Sequence, residues 1–212
     1  MKRTITAHCL VKNEARFIWY SVMSVVNHVD KVLLWDTGSS DGTLEIIRKM
    51  RMLGDTRLPD GQGKSKIEFR EVGSVSPEEF ASVRQEMLDA TDTDWFIVVD
   101  GDEIWWEDSI ALVTAEIQKH GDGIESIVIP TVNLVGDIFH YQEREAGGYV
   151  LAGRKGHLAL RGVNTRIPGL RSERPHGTWG WVDGNGKMIQ DRDPRKITFL
   201  DAPYIHATHL QR

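Results

Sequence analysis

The sequence predicts an α/β fold on a mostly parallel central sheet flanked by helices, with an irregular β-rich C-terminal part. Two observations carry that expectation. In the first half, short apolar runs alternate strictly with segments of helical period, and such alternation implies right-handed βαβ crossovers. Several early strands also end in polar residues, and open α/β sheets bind ligands at those carboxyl ends.

The elements follow in order. Thr4–Val11 (TITAHCLV) and Lys31–Asp36 (KVLLWD) read as strands, continued by Lys66–Val72 and Trp95–Val99. Glu14–Asn27, Thr43–Leu53 and Pro77–Ala90 carry helical patterns, with Asn13, Asp41 and Ser76 as expected N-caps. Asp108–His120 is a further helix and Ser126–Leu134 a further strand. Beyond Gly136, segments such as Gly177–Trp181 (GTWGW) lack helical period and read as irregular β-structure and loops. Leu58–Ser65 (LPDGQGKS) is the evident long loop of the first half.

A chain of 212 residues suits a single domain spanning positions 1–212. The net charge of -5 argues against a nucleic-acid binder, whose footprint is basic. No window approaches the roughly 18 apolar residues of a transmembrane segment. Lys12 and Glu14 cut the first apolar run too short for a signal peptide. Cys9 has no cysteine partner and reads as a small buried residue. These features suit a cytoplasmic enzyme and leave peripheral attachment to a membrane open.

The stretch Ile97–Glu103, IVVDGDE, places three carboxylates within four residues at a strand end. Like charges that close repel, and burying any of them is costly. An isolated Asp-x-Asp is more often a helix cap or a solvated turn than a site. A nucleotide-hydrolase reading needs a phosphate loop, but Gly61-Gln62-Gly63-Lys64-Ser65 has Leu58 where that motif requires glycine, and it leads into a strand. The remaining reading is a Mg²⁺ or Mn²⁺ site, in which the ion relieves the repulsion and a substrate diphosphate completes its coordination.

"LVKNEARFIWYSVMSVV" followed by "VLLWDTGSSDGTLEII" resembles the opening of family 2 glycosyltransferases of the GT-A fold. "FASVRQEML" and "IVVDGDE" resemble that family's helix and DxD metal motif, so the likeness covers roughly residues 4–135. It implies a nucleotide-binding half, 1–135, and an acceptor-binding, metal-completing half, 136–212. Asp36 would bond the base, expected to be uracil, and Leu10, Val11 and Glu14 would line the base and ribose. Arg84 would approach the base or diphosphate, unless it is a solvent-facing helix residue. Asp100 would reach the ribose and Asp102 the metal. Glu103 would hold an acceptor hydroxyl or brace the loop. His206 and His209 are the expected late metal ligands, and Trp179 and Trp181 offer faces for a sugar.

The resemblance further implies transfer from a nucleotide-diphosphate sugar to a carbohydrate, lipid-linked or protein acceptor, with inversion. Inversion needs a carboxylate base across the sugar from the diphosphate. Asp183 in WGWVDGNG is the first candidate and Glu173 its rival, ahead of Glu143 and Glu145; a plain turn aspartate is an equal reading of Asp183. Arg154, Lys155, Arg161, Arg166, Arg171 and Arg174 read as a solvated basic loop more readily than as an anion site. Two alternatives stand beside transfer: a non-catalytic binding relative, and a sugar-1-phosphate nucleotidyltransferase, for which AHCLVKNEARF lacks the glycines.

Overall fold

Ile5–Val11 forms β1 and is buried along its whole length, as a parallel strand covered on both faces must be. The computed structural model describes residues 2–56 and 65–210. Its alternation continues through α1 (Ile18–Val25), β2 (Lys31–Asp36), α2 (Thr43–Thr56), β3 (Ile67–Glu71), α3 (Phe80–Asp89) and β4 (Trp95–Val98). Then come β5 (Glu103–Trp105), α4 (Glu107–His120) and the long β6 (Ser126–Tyr141). The rest is strand and turn: β7 (Tyr149–Leu151), β8 (Arg154–Gly156), β9 (Leu158–Asn164), β10 (Arg171–Glu173), β11 (Gly180–Val182), β12 (Ile197–Phe199) and β13 (Tyr204–Leu210).

The main sheet runs β3-β2-β1-β4-β9-β6-β13-β5, with β12 beside β6. From β3 to β4 all neighbours are parallel. β9 is antiparallel to both β4 and β6, and β13 lies parallel to β6 and antiparallel to β5. On one face, Ile18, Val22 and Val25 of α1 and Ile110, Val113 and Ile117 of α4 join the core cluster. On the other, Val83 and Met87 of α3 pack with Leu10, Leu33 and Trp35.

Several boundaries differ from expectation. Asn13 is not a helix cap: it sits at φ 58, its amide oxygen accepts from Ser40 N, and α1 begins only at Ile18. The loops after β1 and β2 are laced together instead, with Ala15 N donating to Asp41 and Glu14 N to Thr43. Ser76 and Glu79 exchange hydrogen bonds in a capping box ahead of α3. β5 arises inside the acidic stretch, where a three-residue strand leaves no readable period. The loop expected over Leu58–Ser65 lies outside the described residues except for Ser65.

Asp183 proves to be a turn residue, which corrects its assignment as a catalytic base. It is 3% exposed. One carboxylate oxygen accepts from Asn185 N and Lys187 N, and the other takes a hydrogen bond from Arg192. Arg192 also bonds Glu125 at 2.7 Å, and Lys196 reaches the same carboxylate. Late turns are thereby pinned to the residue just before β6. The bonds from Arg192 outweigh desolvation and hold the Glu125 carboxyl below the usual carboxylate range. A carboxyl with a lowered folded pKa stabilises the fold above its unfolded pKa, about 4.3 for Glu, and that contribution is lost as pH falls through the folded value. Arg192→Met should lower the thermal midpoint at neutral pH by several degrees. The deficit should shrink near pH 3, which circular dichroism melts at both pH values would measure.

Candidate active site

Two of the three carboxylates at the end of β4, Asp100 and Glu103, are held by arginines. Arg84, on α3, is 2% exposed and donates to Asp100 Oδ1 at 3.0 Å. Its guanidinium lies 5.3 Å from the Phe80 ring centre and 5.0 Å from that of Trp179, so it is buried between aromatic rings and not solvent-facing. Arg161, on β9, donates to Asp100 Oδ2 at 3.2 Å, to Tyr204 Oη at 3.0 Å, and to Glu103. Desolvation alone would raise the Asp100 pKa, but Arg161 and Arg84 overcome it and hold the carboxyl low.

Glu103 is fully buried and accepts from Asp100 N at 3.1 Å. Burial pushes its carboxyl up to about 8, with Asp100 adding to the rise and Arg161 opposing it. It lines neither cavity described below, so it braces the loop, and its assignment to an acceptor hydroxyl is corrected.

A cavity of about 610 Å³ opens beside this cluster, with Leu10, Val11, Glu14, Arg84, Asp100 and Asp102 in its wall. Asp36, next in sequence to Thr37 of that wall, is 2% exposed and is not itself among the lining residues. Its Oδ1 accepts from Gly38 N and Ser39 N, a turn that puts Gly38 at φ +89, where other residues are strained. Its Oδ2 is buried without a partner, as are Nε and Nη1 of Arg84. Unpaired buried polar atoms are rare and point to an absent ligand or water. Gly101 permits close packing, since a Cβ there would meet Glu14 Cγ at 2.7 Å and Val11 Cγ1 at 2.9 Å.

A second cavity, of about 550 Å³, lies beyond Trp179, which walls both. His206 and His209 line it. Two strand residues three apart would ordinarily face opposite sides, but the β13 register shifts between them. His206 Nε2 stands 3.6 Å from Asp102 Oδ1. That is too far for a hydrogen bond and near the roughly 3 Å that separates adjacent ligands bound at 2.0–2.1 Å to one ion. Burial holds the His206 pKa below its ordinary value, favouring the neutral imidazole that ligates metal. Among the described residues no group of three His, Cys, Asp or Glu side chains forms a cage. Asp102 and His206 are the residues that would hold a Mn²⁺ or Mg²⁺ ion, whose remaining ligands would come from substrate and water.

The other assignments separate. Trp181 is 3% exposed and packs against Phe96 and Trp179, which leaves no open face for a sugar and corrects that reading. Trp179 is half-buried and reaches both cavities. Glu173 is bonded to Arg171 on its own strand and lines neither cavity, so it too is withdrawn as a base. Arg161 is the residue that sequence reasoning missed. A lone charge among the apolar residues of Leu158–Val163 (LALRGV) was its signal, hidden by the basic segment around it.

The family model for "Glycosyl transferase family 2" matches residues 9–176. The chain belongs to glycosyl transferase family 2. The fold is that of GT-A glycosyltransferases: S. aureus TarS residues 1–349 in complex with UDP-GlcNAc superposes with TM-score 0.60 at 14% identity, over 99% of this chain and 60% of that one. Mycobacterium tuberculosis glucosyl-3-phosphoglycerate synthase, in complex with Mn²⁺, UDP and phosphoglyceric acid, superposes with TM-score 0.56 at 16% identity, over 97% of this chain and 71% of that one. This family 2 chain thus spans about three fifths of the TarS structure. No curated protein matches it in sequence.

Removing Arg161 from this family 2 site should leave Asp100 and Glu103 without their shared cation. Breaking a buried pair from one side costs about 3–5 kcal/mol, so Arg161→Met should destabilise the protein on that order in urea unfolding. Adding Glu103→Gln should recover part of the loss.

Proposed function

We propose that the protein is a metal-dependent glycosyltransferase moving a sugar from a nucleotide-diphosphate sugar, expected to be a UDP-sugar, to an acceptor hydroxyl. The observation that carries this reading is the Asp102–His206 pair at the junction of the two cavities. A donor with its nucleotide in the first cavity and its sugar beside that pair presents its anomeric carbon to the second. The bound UDP, UDP-GlcNAc and divalent ions of the structural neighbours support the donor class.

Each residue then has a task. Asp36 Oδ2 accepts a base N–H, as uracil N3 offers, and Leu10 and Val11 pack beside the base with Glu14 toward the ribose. Arg84 turns its unpaired N–H groups toward the diphosphate, and Asp100, fixed by both arginines, faces the ribose. Asp102 and His206 hold Mn²⁺ or Mg²⁺, which when bound neutralises the charge gathering on the departing diphosphate. Trp179, between the cavities, stacks on the transferred sugar. Inversion requires a proton acceptor on the far side, and among the described residues no carboxylate lines the second cavity. With His206 on the metal, His209 of the same wall is the proposed acceptor of that proton.

The same absence favours a second reading, a nucleotide-sugar-binding relative without turnover. Product formation across a panel of UDP-sugars separates the two, and the anomeric configuration of any product tests inversion. UDP with Mn²⁺ should raise the thermal midpoint more than UDP alone, because a ligand that binds only the folded state stabilises it by mass action. Asp102→Ala should abolish that metal-dependent increment, and an unchanged increment would make the acidic loop structural. Asp36→Ala should weaken UDP binding by about tenfold or more, as loss of a charge-assisted hydrogen bond does; calorimetric titration would measure it.

A further inference from the structure

We infer that the second cavity binds an oxyanion, the carboxylate or phosphate group of an anionic acceptor. The inference rests on reading that cavity as the acceptor side and is argued from its hydrogen-bond inventory. Asn133 donates from its amide to Gln142 Oε1 at 3.1 Å and to His157 Nδ1 at 2.9 Å, while its own oxygen accepts from Thr131 Oγ1 at 3.0 Å. With Nδ1 of His157 accepting, a neutral ring carries its proton on Nε2. That nitrogen is buried with no partner. Trp181 Nε1, which can only donate, is likewise buried and unpartnered. All five of these residues line the cavity.

The wall thus holds two N–H donors without acceptors, while the side-chain oxygens of Asn133 and Gln142 each already accept one hydrogen bond. A sugar hydroxyl spends its proton on an acceptor, which Tyr149 and Gln190 of the same wall could supply, whereas the two unpartnered N–H groups call only for lone pairs. A carboxylate or phosphate brings lone pairs and demands only donors, and its bonds to N–H groups are the stronger charge-assisted kind. Charge does not oppose this. Arg161 forms part of the wall, and among the described residues no carboxylate lines it. Arg161 is largely balanced by Asp100 and Glu103, so the recognising groups are the neutral N–H donors.

The test saturates the first cavity with UDP and Mg²⁺ and then titrates glucuronate, glucose 6-phosphate or glucose into ¹⁵N-labelled protein. The Trp181 indole and His157 Nε2 resonances should move downfield with glucuronate, with glucose 6-phosphate or with both, and which one moves them identifies carboxylate or phosphate. Glucose should leave them in place. His157→Phe and Trp181→Phe should each weaken the anion's binding by about tenfold, as loss of a hydrogen bond to a charged group does. His157→Phe keeps the inference testable should the core substitution fail to fold. Equal shifts with glucose, no shift with either anion, or unaltered anion affinity in His157→Phe would overturn it. Failure of UDP itself to bind would count against the donor reading alone, since the anion titration can be repeated without nucleotide.

Discussion

The pairing of Asp100 and Glu103 with Arg84 and Arg161 is the constraint on which the site depends. Two carboxylates this close, one of them fully buried, cannot stay in place uncompensated. A substrate-borne cation is not what makes the cluster tolerable, because both guanidiniums come from the chain itself. Each carboxylate oxygen of Asp100 meets a different arginine, which fixes the plane of the group. Asp102 is the member of the cluster that faces His206 across a ligand-sized gap.

The position of that pairing follows from the sheet. β4 has a parallel neighbour in β1 and an antiparallel neighbour in β9. The register sets Ile97 against Gly162, so Arg161 lies one residue nearer the carboxyl end of β4 and within reach of Asp100. A wholly parallel neighbour would run its carboxyl end along with that of β4 and bring its loop there, not a mid-strand side chain. β13 makes a similar delivery. Its antiparallel pairing with β5 sets His206 against Glu103, and Ala207 N donates to Asp102 O at 3.0 Å. Two late strands thus supply a cation and an imidazole to a loop they could not approach by sequence.

What was legible in the sequence divides along that line. β1 to β4 and their helices announce themselves through local period, and the Asp36 turn through residues that only such turns favour. Arg161 and β5 owe their roles to pairings across the sheet, which leave no local trace. Asp183 misled because a turn aspartate and a catalytic one look alike in WVDGNG; only the donors from Asn185, Lys187 and Arg192 distinguish them. Glu173 misled similarly, since its partner Arg171 lies two residues away and could be read as part of a basic loop. Trp181 was read as a sugar platform on its residue type, whereas its ring is spent on Phe96 and Trp179.

The two cavities differ in the charges they present, and one side chain serves both. The first presents Asp100 and Asp102 beside Glu14, but also Lys12 and Arg84, so acidic and basic groups share one wall. The second has donors and imidazoles without carboxylates among its described residues. Arg161 of that wall pairs with Asp100 and Glu103 and offsets their repulsion of a negatively charged group there. The same guanidinium joins the two: it bonds Asp100 of the first wall and is itself part of the second. Arg161 and His206 of the second wall both act on the Asp100 carboxyl, so a charge entering that cavity meets two groups already coupled to the acidic loop.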